Sequence, residues 1–598
     1  MIWLPPEYIR LQEGMRRMGV LNFVTWSDLT DKPMSAERLI EIAQQLSAEL
    51  LLRRVVTFYT ILLGNRPRNI DLRRQQQATW AAEMAPAGQS LQARDLILGR
   101  RRDVFVHEEQ LLIVARLAMV HGAIGPALPI GERERLLLGE LLFGINQLLH
   151  FGDQEKSEDL VIMLALRHLG LAGGEQPRYQ LSRFFDLLVT RSRAYQGESP
   201  KLDLDAGFLS ATGMTIEEYL GFALMYVAHF VDKDNAQKVA TLGLDEVIRI
   251  AEHQIKDPAK LRNCQRLFTR TVLEFKEILE AEPLELPRLK TMPFRETPLL
   301  RLDDGAVIPL SFHLAMEKVA TGVYWILHKH FTEQDPDHGA MAFTKYVGII
   351  HQDYLTELLA RTYSAPYVGP TRFIGEAEVI SASPKPYKGK GAKPPFDGAI
   401  VGEESLVLIE IGTPMIANIA AENADVDSFH TQIEKFIAKV KQLARAIDEL
   451  EQGRWVLPGV ELTGIRHIYP VIGLLHPFPC LPTTLEPMRR AVTTGRRRFA
   501  TAFAATEVHP LQVITDEEFE MLEPQLKART LSLPTLLAQK VSADDSAGVS
   551  MKTFLINFLK WHEVLNEAMG PLYEAATKAG SATLATNLEG FVTSSSSG

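Results

Sequence analysis

Two acidic residues in the segment 394–412, PPFDGAIVGEESLVLIEIG, could together bind a metal ion. Glu410 lies in the apolar run SLVLIEIG, where an ionised carboxylate needs a cation, a metal ion or a set of hydrogen-bond donors. Asp397 precedes it by 13 positions, and a short antiparallel turn would bring the two carboxylates together. Because like charges repel, a hard divalent cation such as Mg²⁺ between them is favoured.

The same two residues also allow a simpler interpretation. Glu410 would then form a structural salt bridge at the end of its strand, and Asp397 would begin a turn before Gly398. One Asp and one Glu at this spacing do not separate the two interpretations, so the elements that position them must be considered.

The run that contains Glu410 is predicted to be a central strand. Alternate side chains of a strand share a face, so Glu410 lies on one face with Leu406, Leu408 and Gly412, and the other face carries Val407, Ile409 and Ile411. Both faces are apolar apart from Glu410, which indicates a strand that is covered on both sides.

Periodicity and turn signals predict an ordered series of elements around this strand. A loop rich in Lys, Gly and Pro lies between the first two strands of the series. The predicted elements are a helix at 343–362, strands at 372–380, 396–401 and 405–412, a helix at 429–450, and a strand at 465–475.

This series, with PPFDGAIV and LVLIEIG at its centre, resembles the PD-(D/E)XK nuclease superfamily over residues 298–475. The resemblance implies a restriction-endonuclease-like mixed sheet flanked by helices. It also implies that Asp397 and Glu410 bind Mg²⁺ or Mn²⁺, which activates water against a phosphodiester of DNA or RNA. Large multidomain members of this kind are common in prokaryotic anti-phage defence.

The segment departs from the family pattern at two positions. The family places a lysine two residues after the strand acid, where this chain has Gly412. The preceding helix often carries a Glu where this chain has Gln352, and Asp353 or Glu357 is a replacement candidate as the third metal ligand.

Some members of the family draw the lysine from the following helix instead. Lys439 borders the apolar stripe of that helix and is the first candidate for a relocated catalytic lysine, with Lys441 on the other border as the second. The alternative is that both are solvated residues at the edges of the stripe. Gln432, which borders the stripe on the Lys439 side, is a candidate for substrate binding.

A basic loop, KPYKGKGAK at 385–393, lies just before Asp397. Its Gly and Pro content is typical of a segment that becomes ordered on a bound strand. Lys388, Lys390 and Lys393 are therefore further candidates for substrate binding.

Length and pattern predict a multidomain α + α/β protein of 598 residues. Residues 1–285 read as an all-α region without a fixed-period repeat, and 286–297 as a proline-rich linker. Residues 298–480 read as the PD-(D/E)XK-like α/β domain, 481–590 as a mixed, helix-rich extension, and 591–598 as a polar tail.

Composition restricts the function classes. A formal net charge of -10 means that contact with nucleic acid would need a local basic patch. The two cysteines form no CxxC pair, and the histidines, His467 among them, show no metal-ligand spacing along the chain. No signal peptide and no membrane span are predicted, so a cytoplasmic protein is expected.

Two functions follow as hypotheses. The first is a metal-dependent nuclease with a non-standard site. The second is a catalytically inactive nuclease fold that serves as a nucleic-acid-binding or assembly scaffold, with Gly412 and Gln352 as the marks of lost chemistry. In either case the helical region could bind a protein partner.

Overall fold

A computed structural model describes the chain between residues 23 and 587. The segments outside this description are 65–69, 100–103, 126–130, 150–176, 197–200, 229–255, 281–291, 365–368, 385–392, 413–425, 477, 479, 481–484, 486–487, 490–506, 530, 544–548, 562–565 and 568. The predicted polar tail therefore lies outside the described residues.

The described part of the first 280 residues is almost entirely helical, as predicted. Pro177–Phe185, called the Arg183 helix below, continues into a π-helical turn at Asp186–Arg191. The other helices are Ser27–Thr30, Ala36–Gln44, Ala48–Gly64, Ile70–Met84, Ser90–Leu98, Glu108–His121, Glu132–Leu149, Ser192–Ala194, Leu204–Thr212, Ile216–Ala228, Pro258–Phe268 and Val272–Glu280.

Four later helices are named after the residue that each contributes. They are the Gln352 helix (Gly339–Thr362), the Glu376 helix (Glu376–Ala382), the Lys439 helix (Val426–Glu451) and the Glu520 helix (Asp516–Arg529). The remaining helices are Met292–Glu296, Phe312–Gln334, the 3₁₀ turn Leu462–Gly464, Leu533–Ser542, Met551–Thr553, the π-helical Phe554–Phe558 and Met569–Asn587.

A small sheet joins the helical region to the rest of the chain. The predicted hairpin around Asp303 and Asp304 forms β2 (Leu299–Arg301) and β3 (Val307–Pro309), which pair antiparallel. A strand that the sequence did not predict, β1 (Thr269–Thr271), pairs parallel with β2. The region predicted to be all-α therefore contributes one strand to a mixed sheet.

The second sheet has six strands and is also mixed. β4 (Arg372–Gly375), β5 (Gly398–Val401) and β6 (Ser405–Gly412) pair antiparallel in that order, and β7 (His467–Leu474) then pairs parallel with β6. The short β8 (Glu507–Val508) and β9 (Gln512–Thr515) each pair parallel with β7. β6 is thus a central strand, as its apolar faces predicted, and the sheet continues beyond residue 480.

One predicted strand is shorter than expected. The run RFIGEAEVI was read as a strand, but β4 ends at Gly375 and the Glu376 helix follows at once. The Glu378 carboxylate accepts a hydrogen bond from the Gly375 N–H at 3.0 Å, which satisfies a backbone donor at the helix start. This local cap ends the strand.

Each sheet lies between two hydrophobic cores. One core covers one side of the small sheet and contains Ile308; we call it the N-terminal core. The core on the other side contains Val307 and is called the central core. The large sheet likewise separates the central core, which contains Ile409, from a distal core, which contains Leu408 and Phe436. The central core is therefore enclosed by both sheets.

The cores draw on both sides of position 285. Phe208 and Tyr219 from the helical region pack in the central core with Leu355 of the Gln352 helix. Residues 286–291 of the predicted linker lie outside the described residues, whereas Met292–Glu296 is a helix whose Phe294 is buried in the N-terminal core. A division into folding units at the predicted boundaries stays a prediction.

The described helices give no sign of a bilayer segment. None of them combines the length and the apolar character that crossing a membrane requires.

Candidate active site

Glu410 is buried on the distal face of β6. Its exposed fraction is 4%, and its neighbours on the same face, Leu406 and Leu408, belong to the distal core. The strand forms here because a continuous apolar run can be covered on both faces of a central strand. The carboxylate therefore requires partners from the elements that pack against this face.

Asp397 lies beside Glu410 at the start of the β5–β6 hairpin. Its Oδ2 accepts a hydrogen bond from the Ile411 N–H at 2.6 Å, and its own N–H donates to the Ile409 carbonyl at 2.9 Å. Asp397 is thus hydrogen-bonded to the residues on both sides of Glu410 in β6. The charge of Asp397 is among the causes of the raised pKa of Glu410.

A third acid completes this group. Gln352 Nε2 donates to Asp397 Oδ1 at 2.6 Å and to Glu376 Oε2 at 3.2 Å, so the amide bridges two carboxylates. Glu376 is the first residue of its helix and is partly buried. Lys393 forms an ion pair with the other oxygen of Glu376 at 3.4 Å.

The Lys439 helix packs on the distal face of the sheet and supplies the cation. Lys439 Nζ donates to Glu410 Oε1, and it lies 3.5 Å from the Ile411 carbonyl. Phe436 and Val440 are buried on either side of Lys439 and fix this face of the helix against the sheet. Lys439 is therefore a cation in direct contact with the buried carboxylate of Glu410.

The other candidates on this helix lie differently. Lys441 is exposed. It follows Lys439 by two residues, so its side chain points about 200° away from that of Lys439 around the helix axis. Gln432 is partly buried. It precedes Lys439 by seven residues, or about two turns, so the two side chains lie on the same side of the helix and about 10 Å apart along its axis. Gln432 as a substrate contact and Lys441 as a catalytic residue stay predictions.

Asp353 and two lysines of the basic loop have no described contact with the central acids. Asp353 is exposed on the Gln352 helix, and no hydrogen bond or ion pair within the described residues joins it to Asp397 or Glu410. Burial raises its pKa, and the charges of Arg191 and Lys393 oppose this rise. Its role as a metal ligand stays a prediction, and Lys388 and Lys390 lie outside the described residues.

Burial shifts the ionisation of the two central acids. It raises the pKa of Glu410 to about 7, with a further rise from the Asp397 charge and an opposing effect of Lys439. Burial also raises the pKa of Asp397, while the hydrogen bond from the Ile411 N–H opposes the rise. Proximity to another carboxylate and removal from water are the physical causes in both cases.

These shifts lead to a prediction about stability. Because Glu410 has a higher pKa when folded than its usual 4.5, the unfolded chain ionises first, and the free energy of unfolding falls as pH rises from about 4.5 through 7. Glu410→Gln removes this cost, and we expect it to stabilise the protein at pH 8 by on the order of 1–3 kcal/mol, with little effect at pH 5. Lys439, one-third exposed, can turn toward water.

Thermal melts of the wild type and Glu410→Gln at the two pH values test this expectation. Glu403→Gln is the matched control, because Glu403 is exposed in the β5–β6 turn. A Glu410→Gln melting temperature at pH 8 that is equal to or below that of the wild type would contradict it.

A second group of charged side chains lies on another face of the Gln352 helix. Arg183, whose exposed fraction is 0%, donates to both oxygens of Glu520 at 2.7 and 2.8 Å. Tyr354 OH donates to Glu520 at 2.5 Å, and His351 Nε2 contacts Asp516 at 2.8 Å. The two faces of one helix therefore carry the candidate active site and a fully buried ion network.

The described residues of the first group carry more negative than positive charge. Among the described residues, three carboxylates (Asp397, Glu410 and Glu376) lie with two lysines (Lys439 and Lys393), so these five side chains carry one excess negative charge when all are ionised. Oxygen ligands of this type match Mg²⁺ or Mn²⁺. The lysine ammonium of Lys439 and the amide of Gln352 lie beside these acids.

Comparisons with protein-family models, curated proteins and solved structures give no match to this chain.

Proposed function

We propose that the protein is a metal-dependent nuclease that cleaves phosphodiester bonds of DNA or RNA at a non-standard PD-(D/E)XK site. The observation that carries the proposal is the contact between Lys439 and the buried Glu410. A lysine from the following helix thus replaces the residue missing at Gly412. Asp397 and Glu376 supply the other two acids.

The order of elements supports the same proposal. The Gln352 helix, β4, β5, β6, the Lys439 helix and β7 follow one another along the chain, and their strands form adjacent positions of one sheet. The order is thus a helix, three strands, a helix and a strand. The resemblance to the nuclease superfamily is based on this series. The Glu376 helix and the strands β8 and β9 are additions to the series.

Each residue of the proposed site has its own role. Asp397 and Glu410 would hold Mg²⁺ or Mn²⁺, which supplies an acidified water and offsets charge on the phosphoryl oxygens. Glu376 provides a third carboxylate, and Gln352 orients Asp397 and Glu376 through its amide. Lys439 donates hydrogen bonds beside Glu410 and would stabilise the charge that develops on the phosphate.

The test is cleavage by the purified full chain of plasmid, single-stranded DNA and RNA with Mg²⁺ or Mn²⁺. Asp397→Asn and Glu410→Gln keep the side-chain shapes, and each is expected to lower the rate at least about 100-fold, because the lost ligand weakens metal and transition-state binding together. Glu403→Gln is the control and should cleave at the wild-type rate. Cleavage that survives in both variants would contradict the proposed site.

A second function is favoured by a specific observation. The Ile411 N–H, the Gln352 amide and the Lys439 ammonium together satisfy Asp397 and Glu410 without a metal ion. This arrangement would also suit an inactive nuclease fold that binds nucleic acid or assembles with a partner. Tight binding of the same substrates without cleavage under any metal condition would favour this scaffold.

A further inference from the structure

Three side chains at one end of the six-stranded sheet form a group that the proposed nuclease site does not use. His467 begins β7, and Glu507 and His509 lie on β8 and directly after it. Parallel pairing places His467 opposite Glu507, and alternation along the strand directs His509 to the same face as Glu507. One ligand atom from each residue lies within 4.8 Å of the other two.

The His–His separation in this group is close to that of a metal site, and the Glu507 carboxylate lies slightly farther away, with Oε1 3.6 Å from His509 Nδ1. His467 Nδ1 lies 3.1 Å from His509 Nε2 and 3.8 Å from Glu507 Oε2. In a tetrahedral zinc site with Zn–N distances of about 2.0–2.1 Å, neighbouring ligand atoms are about 3.3–3.4 Å apart. Both facing nitrogens are available to a cation when each neutral ring carries its proton on its other nitrogen.

The protein holds one of these ligands in place and leaves the others open to solvent. The Tyr469 ring stacks on His509 at 4.4 Å with an interplanar angle of 7°. His509 is 10% exposed, whereas His467 is 43% and Glu507 is 64% exposed. A fixed imidazole loses little freedom on binding, and the solvent side offers space for a water ligand.

We propose that His467, His509 and Glu507 bind a divalent cation of the zinc class, with water as the fourth ligand, and that the bound ion fixes β8 to β7. Two imidazoles and one carboxylate are ligands typical of Zn²⁺ and unlike the all-oxygen ligands of Mg²⁺. β8 contains two residues, so few backbone hydrogen bonds hold it, and a metal that bridges the two strands would add substantially to its attachment.

This site is separate from the proposed nuclease site. Glu410 pairs with Ile472, five residues along β7 from His467, which corresponds to about 16 Å at 3.3 Å per residue. The two sites also differ in ligand chemistry. A zinc-class ion at the histidines does not depend on whether the chain cleaves nucleic acid.

The experiment titrates the metal-free full chain with Zn²⁺ by calorimetry and with Co²⁺ by visible absorption. We expect one tightly bound equivalent with nitrogen ligands, apart from any weaker binding at the carboxylates of Asp397 and Glu410, and a higher melting temperature when Zn²⁺ is present. His467→Ala and Glu507→Gln should each weaken binding at least about 100-fold, since even outer partners of metal ligands contribute 10–100-fold. Both side chains are exposed enough for the variants to fold, which their metal-free melting temperatures check.

Two further variants separate the possible binding sites. The double variant Asp397→Asn/Glu410→Gln should keep full Zn²⁺ affinity, and so should His338→Ala, which replaces an exposed histidine elsewhere. Unchanged affinity in His467→Ala, loss of affinity in the Asp397→Asn/Glu410→Gln variant, or no bound Zn²⁺ in the wild type would each overturn the proposal. In the last case the group is a hydrogen-bonded histidine pair.

Discussion

Lys439→Ala is expected to lower phosphodiester cleavage by about 10²–10⁴-fold, the range that loss of a positioned proton donor or charge-stabilising group produces. Lys439 contacts the buried Glu410, and Gly412 offers no side chain that could replace it. The decrease should appear in the rate at saturating metal and substrate. Single-turnover cleavage measured beside the wild type gives this value.

Three comparison variants make the result specific. Lys439→Arg retains a charge but has a different shape, and should recover only part of the activity. Lys345→Ala removes an exposed lysine of the Gln352 helix and should cleave as the wild type does. A greater loss in Lys441→Ala than in Lys439→Ala would contradict the assignment and favour the second candidate lysine.

The largest effect on stability is expected at the buried ion network. Arg183→Ala leaves Glu520 without its cation in a site that excludes water, and it also removes a longer ion pair to Asp516 at 3.9 Å. Burial already raises the pKa of Glu520 to about 7 although Arg183 opposes the rise, which shows how strongly the site disfavours charge. Loss of one partner from a buried pair costs about 3–5 kcal/mol, and we expect a loss of this size, measured by denaturant unfolding.

A surface arginine and a double variant of the buried network serve as controls. Arg193 forms ion pairs with Asp205 and Glu217 but is 47% exposed, so Arg193→Ala should cost less than about 1 kcal/mol. The double variant Arg183→Met/Glu520→Gln should be more stable than Arg183→Ala, because it leaves fewer buried charges. Equal stability of Arg183→Ala and Arg193→Ala would show that the network is not important for folding.

The strands and helices around Glu410 could be predicted because their patterns are local. The apolar run of β6 and the stripe of the Lys439 helix are visible in one segment each, and the structure confirms both elements. β1 could not be found, because three residues with no alternation form a strand only when β2 lies beside them. β4 was predicted too long, although Glu378 three residues after Gly375 was a recognisable helix-start signal.

Some of the candidate site residues could likewise be placed from local sequence, and others could not. Lys439 could be selected because its helical position relative to the apolar stripe limits where it points. Glu376 was missed because its place depends on where β4 ends. The pair His467 and His509 could not be recognised, since 42 positions separate them and only the parallel pairing of β7 with β8 brings them together.

The central core has a consequence for how this chain can evolve. Its side chains come from segments far apart in sequence, including Phe208, Leu355, Ile409 and Phe554. A recombination event that exchanged residues 298–480 for another module would leave apolar surfaces of the helical region and of the C-terminal helices without their partners, at roughly 25 cal/mol for each Å² exposed. The residues of the large sheet therefore depend on the helices that pack in the same core, and we expect these regions to change in concert.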